Sequence, residues 1–91
     1  MYRLDTTSDF DRDSKSLDRD VAERICKKLE WLSANPQSLR FPLKHVPKDL
    51  KGLQKYRVGD YRVFCWVDHE NQTITLYGIE HRRTAYNRFK K

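Results

Sequence analysis

Apolar residues recur every three or four positions between Asp18 and Ser33, then every second position from Gly52 onward. In the first stretch Val21, Ile25, Leu29 and Leu32, flanked by Ala22 and Cys26, mark one face of an amphipathic helix with Asp18 as its expected N-cap. The segment "SANP" is expected to end that helix at about Ser33, because the residue before Pro36 resists helical dihedrals. In the second stretch "GLQKYRV", "YRVFCWV" and "TITLYGI" predict three strands, parted first by Gly59 and Asp60 and then by "DHENQ". Near the start, Tyr2 and Leu4 alternate with polar neighbours and predict a short strand, after which Thr7 or Ser8 caps a short helix carrying Phe10 and Leu17 inward. Residues 34–51 hold Pro36, Pro42 and Pro47 and read as an irregular connection, long enough to suggest a functional or partner-facing loop. The expected fold is α+β in a single domain over residues 1–91. An N-terminal strand and a helical hairpin lie with a three-stranded antiparallel meander, and Arg82 to Lys91 form a short helix or tail.

The meander makes a sharper prediction. With Gly59 at the first central position of a type II′ turn, Val58 pairs with Tyr61 and Arg57 with Arg62. Like charges directly opposite on a ladder cost stability, so this pair invites an anion between them. Lys55 points to the same face. A five-residue second loop would place Gly78 beside Arg62, leaving a bare patch that a nucleotide could approach. The plainer alternative is that cations on surface strands only discourage edge-to-edge pairing. Phe64 and Trp66 continue the face of Arg62, whereas Tyr61, Val63, Cys65 and Val67 occupy the other, so both faces of this strand are partly apolar. Two helices cover one face; the C-terminal segment and a partner protein are expected to share the other.

Nineteen Lys and Arg against thirteen Asp and Glu give a formal net charge of +6. That balance favours an anionic partner. The charge is uneven: residues 1–20 hold six Asp against four Lys or Arg, while the last eleven hold Arg82, Arg83, Arg88, Lys90 and Lys91 with no acid. The basic end is therefore the expected contact surface for phosphate. Cys26 and Cys65 lack the spacing of a zinc site and the density of a disulfide scaffold, and both read as small core residues. No apolar run approaches membrane-spanning length and no signal-peptide pattern opens the chain, so a cytoplasmic location is expected. His45 and His69 fall in expected loops and take no role.

"LKGLQKYRVGDYRVFCWVD" followed by "IEHRRTAY", together with "YRLDTTSDFDRD" and a helix ending in "NP", resembles the RelE/ParE toxin superfamily over nearly the whole chain. The resemblance implies a strand, a helical hairpin and a small antiparallel sheet with a terminal helix. RelE-like members cleave mRNA in the ribosomal A site without a metal or other cofactor and are neutralised by a cognate antitoxin. ParE-like members instead poison DNA gyrase. Carried onto this chain, the resemblance implicates Arg62, Arg82 and Tyr86 in cleavage, with Lys55 at one family lysine position and Arg57 at a further basic position. The second family lysine is replaced by Leu53, and His81 stands where relatives carry a basic or imidazole side chain.

Metal-free RNA cleavage needs a base for the 2′-hydroxyl proton, donors for the phosphorane and an acid for the departing 5′-oxygen. Arginine suits the middle task because its fork stays charged and meets two phosphate oxygens, so Arg62 and Arg82 take that role, with Arg57 lowering the local potential. His81 or Lys55 is the expected base, and Tyr86 either stacks on a nucleobase or donates a proton. Arg83, Arg88, Lys90 and Lys91 form an expected phosphate-contacting patch. An antitoxin segment of acidic and apolar character is expected beside Phe64 and Trp66, or in place of the tail. The leading expectation is thus a ribosome-dependent mRNA endonuclease. A gyrase poison, or an inert module active only as a co-repressor with its antitoxin, are the alternatives.

Overall fold

The computed structural model describes residues 1–85 and 87–89. Its elements run β1 (Arg3–Thr6), α1 (Ser8–Lys15), α2 (Arg19–Ala34), β2 (Gln54–Val58), β3 (Tyr61–Asp68) and β4 (Thr73–His81), with 3-10 turns at Pro36–Ser38, Lys48–Leu50 and Asn87–Phe89. The α+β expectation holds. The strands form one sheet in the order β1-β4-β3-β2, with β1 parallel to β4 and the other pairs antiparallel.

Thr7 is the cap of α1. Its hydroxyl accepts the Phe10 N–H at 3.2 Å and lies within bonding distance of the Leu76 and Tyr77 carbonyls, so one side chain starts the helix and ties it to β4. Farther along α1, the Asp13 carboxylate accepts the Ile79 N–H at 2.9 Å, where β1 has run out as a partner for β4. The helix stops at Lys15, so Leu17 packs half-buried against the core from beyond its end and not from the helix as expected.

In α2 the stripe of Ile25, Leu29 and Leu32 is buried, as the spacing predicted. Cys26 is exposed, against expectation, because it stands about 100° round the helix from Ile25 and falls outside the stripe. Asp18 precedes the helix but makes no side-chain cap hydrogen bond.

The sheet has a core on each face. On the helical side Phe10, Ile25, Leu29 and Leu32 meet Val58, Val63, Cys65, Ile74, Leu76 and Ile79. Burial there pushes the Cys65 thiol up to about 12. On the other side Leu50, Leu53, Phe64 and Ala85 form a smaller cluster joined by Leu43, Val46, Trp66, Tyr77 and Phe89. The connection before β2 is therefore a packed flap: Leu43 N–H donates to Leu53 O at 2.7 Å, and Trp66 Nε1–H to Lys51 O at 3.2 Å. The expected open patch at Phe64 is closed by the chain itself. Phe64 is 0 % exposed, with the Phe89 ring edge-on at 5.0 Å. Among the described residues no helix is long and apolar enough to cross a membrane.

Candidate functional site

The β2–β3 hairpin is built as the sequence predicted. Gly59 has φ 57°, a left-handed value that L side chains adopt at a cost, and Val58 pairs with Tyr61 across the two-residue turn. Arg57 consequently stands opposite Arg62, with Lys55 opposite Phe64 on the same face. The next ladder differs from expectation. Residues 69–72 connect β3 to β4, one fewer than expected, and a bulge between the Cys65–Leu76 and Phe64–Gly78 pairs inserts Tyr77 as an extra residue. Each change moves the register by one. Gly78 therefore faces Phe64, and Glu80 faces Arg62.

The outcome is a row of charge across three strands, Arg57 on β2, Arg62 on β3 and Glu80 on β4. Arg57 is exposed, whereas Arg62, Lys55 and Glu80 are half-buried. The Arg62 guanidinium donates through Nη1 to the carbonyls of Gly59 and Tyr61, both at 3.0 Å. Those bonds fold its head over the turn and leave other N–H groups of the fork for a ligand. Arg82 is tied to the same turn from the end of β4. Its backbone N–H donates to Asp60 O at 2.7 Å, and its Nε lies 3.6 Å from the Asp60 carboxylate. Both partners of that ion pair are more than half exposed, so a phosphate can compete for the guanidinium at small cost. From α2, Arg24 reaches the turn as well, its Nη1 3.6 Å from where a Cβ on Gly59 would lie.

The remaining candidates separate. His81 pairs with Tyr61, and its ring meets the Tyr61 ring edge-on at 5.3 Å. Tyr61 belongs to the helical face, so His81 is turned away from the face that carries Arg62. Its Nδ1 accepts the Arg83 N–H at 3.2 Å, an arrangement that caps the turn after β4. This removes His81 from the place of a base acting beside Arg62. Arg83 is exposed. Leu53, at the position of a family lysine, is 0 % exposed and belongs to the second core, so a charge there would have to be buried. Trp66 is half-buried and stacks edge-on with Tyr77 at 5.3 Å. Tyr86, Lys90 and Lys91 lie outside the described residues, as does the side chain of Arg88.

Sequence reasoning did not single out Glu80, Asp60 or Arg24. Asp60 was legible as a turn residue but not as an arginine anchor. Glu80 needed the bulge to be known, and Arg24 needed the packing angle of α2. Taken together, Arg57, Arg62 and Arg82 stand about one tight turn, with the Glu80 carboxylate on the neighbouring strand. Such a set can hold a bent phosphodiester, whose oxygens accept from several guanidinium donors at once.

The family described as ParE toxin of the type II toxin–antitoxin system parDE matches residues 4–86. None of the curated proteins matches the chain. Among solved structures, the toxin–antitoxin complex RelBE2 of Mycobacterium tuberculosis contains a chain that superposes with a TM-score of 0.74 at 26% identity, covering 89% of this chain and 98% of that one. The RelB–RelE complex of Methanococcus jannaschii gives 0.64 at 25% identity, with coverage of 94% and 99%. The intact RelBE complex of E. coli gives 0.70 at 20% identity, with coverage of 89% and 96%, a likeness of fold. With a family match running from β1 past the end of β4, this chain belongs to the ParE toxins of type II toxin–antitoxin systems, within the RelE/ParE superfamily.

Proposed function

We propose that the protein is a ribosome-dependent mRNA endonuclease that cleaves by metal-independent attack of a 2′-hydroxyl on the adjacent phosphodiester. The observation that carries this reading is the gathering of Arg57, Arg62 and Arg82 around the Gly59–Asp60 turn. Arg62 and Arg82 hold the non-bridging oxygens of the scissile phosphate, and their fixed charge strengthens its stabilisation as negative charge builds on the phosphorane. Arg57 and Lys55 raise the positive potential of the same face and hold the strand of RNA in register. Tyr86 follows this site in the chain and supplies a stacking surface or a proton to the leaving group.

The natural partner in this reading is a cognate antitoxin, as in the RelBE2 and RelB–RelE complexes that the fold resembles. An antitoxin segment that reaches Phe64 and Trp66 has to lift Ala85 and Phe89 from the second core.

The test is translation with purified ribosomes and a defined message, mapping cuts within the A-site codon. Wild type is expected to cut, and an Arg62→Ala, Arg82→Ala double variant is expected to leave the message whole. Identical cutting by both would overturn the reading. The matched family carries the ParE name, and the gyrase poison that the sequence resemblance left open is the second reading. It predicts trapped DNA breaks with gyrase and an intact message on ribosomes, so the two assays run side by side separate them.

A further inference from the structure

We propose that Glu80 is the general base of the cleavage, an assignment that rests on the ribonuclease reading. Three observations lead to it. First, Glu80 is paired with Arg62 across β3 and β4, so their side chains leave the sheet on one face with Cβ atoms about 5 Å apart. A group that takes the 2′-hydroxyl proton has to stand within reach of the phosphate that Arg62 holds, and this position does so. Second, the carboxylate is oriented: Thr84 Oγ1 donates to Glu80 Oε2 at 3.0 Å from the turn that follows β4. A base held by a neighbouring hydroxyl is aimed before substrate arrives. Third, the other candidates are placed for different work. His81 is turned to the helical face beside Tyr61, Asp60 is paired with Arg82, and Lys55 stands on β2 opposite Phe64 and not opposite Arg62.

In the step itself a Glu80 oxygen takes the 2′-hydroxyl proton as the 2′-oxygen forms its bond to phosphorus. The bond from phosphorus to the 5′-oxygen breaks, and the leaving oxygen takes up a proton from solvent. Glu80 then returns its proton to solvent. The products are a 2′,3′-cyclic phosphate and a 5′-hydroxyl, with no net gain or loss of protons. Arg62 serves both partners, holding the phosphate on one side and standing beside the carboxylate on the other.

The test is single-turnover cleavage on programmed ribosomes across a pH series, with wild type, Glu80→Gln, Glu80→Asp and Arg62→Ala. Glutamine keeps the size of the side chain and an acceptor for Thr84 but not the basicity. The expected result is a rate lower by roughly 10²- to 10⁴-fold for Glu80→Gln, with loss of the rise in rate on the acidic limb that is expected of wild type. Glu80→Asp, which keeps a carboxylate, is expected to retain that limb at reduced rate. It gives the readout if Glu80→Gln proves unfolded by its thermal transition. Equal or faster cleavage by Glu80→Gln with the same acidic limb would overturn the assignment while leaving the ribonuclease reading intact. Absence of cleavage by wild type as well as by Arg62→Ala would overturn the ribonuclease reading, and the assignment with it.

Discussion

Glu80 stands directly across the β3–β4 ladder from Arg62, and Arg57 stands across the β2–β3 ladder from the same residue. Arg62 thus has a like charge on one side and an opposite charge on the other. The two neighbours act on the guanidinium in opposite directions, Arg57 by repulsion and Glu80 by attraction. Its bonds to Gly59 and Tyr61 use Nη1 alone and leave Nη2 and Nε of the fork to face a phosphate. Arg62→Lys is therefore not a conservative change. It is expected to lower cleavage by about 10²-fold or more, because an ammonium held at the turn lacks the second and third nitrogens that meet two phosphate oxygens. The unfolding midpoint should move little. Parallel urea titration and ribosome cleavage measurements check both halves of the expectation.

The turn that anchors both arginines depends on its glycine. At φ 57° a Cβ on Gly59 meets Arg24 Nη1 only at 3.6 Å, an ordinary contact, so the cost of Gly59→Ala comes from the backbone and not from crowding. The expected loss is about 1–2 kcal/mol. Cleavage should fall in the same variant, since Arg62 and Arg82 both hang on this loop. Denaturant unfolding and the cleavage assay report the two effects separately.

The second core makes a different prediction. Phe64→Ala removes a fully buried ring from beneath Phe89 and should cost about 3–5 kcal/mol. Phe89→Ala, at a half-buried position, should cost roughly 1–3 kcal/mol. It should also expose Phe64 to an apolar dye. Equal dye binding by wild type and Phe89→Ala would show that the terminal segment does not cover this face in solution.

How much of this could be read in advance follows from what each feature leaves in the sequence. The Gly59–Asp60 hairpin was legible because a left-handed turn position calls for glycine and the flanking alternation sets the register. The Arg57–Arg62 pair came with it. The opposition of Glu80 was not legible. The bulge at Tyr77 is marked only by its neighbour Gly78, whose place within the alternation fits a close backbone approach as well as an extra residue, and the shorter connection at residues 69–72 compounded the shift. The packed flap was hidden for a related reason. Leu43, Leu50 and Leu53 are spaced by 3-10 turns and prolines, and such spacing matches neither a helical nor a strand period. Cys26 was misplaced because an apolar stripe has edges that composition alone does not resolve.

Asp13 offers a test of how α1 is tied to the sheet. Its carboxylate takes the place of a strand partner for the Ile79 N–H, so Asp13→Ala leaves a half-buried donor without that acceptor. The expected cost is about 1–3 kcal/mol. Asp13→Asn keeps an acceptor oxygen and should cost less. Amide exchange at Ile79 should quicken in the alanine variant, and unchanged exchange would show that the bond does not protect this position.

The two thiols should respond differently to pH and reagent. Cys26 is exposed and Cys65 is buried, so a thiol reagent should modify one cysteine in the folded chain and both after unfolding. Burial raises the folded Cys65 value to about 12, above the ordinary thiol range near ~8.5. Below that range both states keep the proton and this group's full contribution to stability is present. As pH rises toward about 12 the unfolded chain ionises first, and stability is lost. Comparing wild type with Cys65→Ala by urea unfolding between pH 7 and pH 10 isolates the effect, since the variant lacks this source of alkaline sensitivity.

The parallel neighbours β1 and β4 are the first and last strands to be synthesised. A growing polypeptide therefore holds its N-terminal strand and α1 without their β4 partner until that strand is made, and long-range pairing of this kind slows folding. Arg62 gains Glu80, and the turn gains Arg82, only with that final strand. The row of charge is therefore completed only when the last strand joins the sheet.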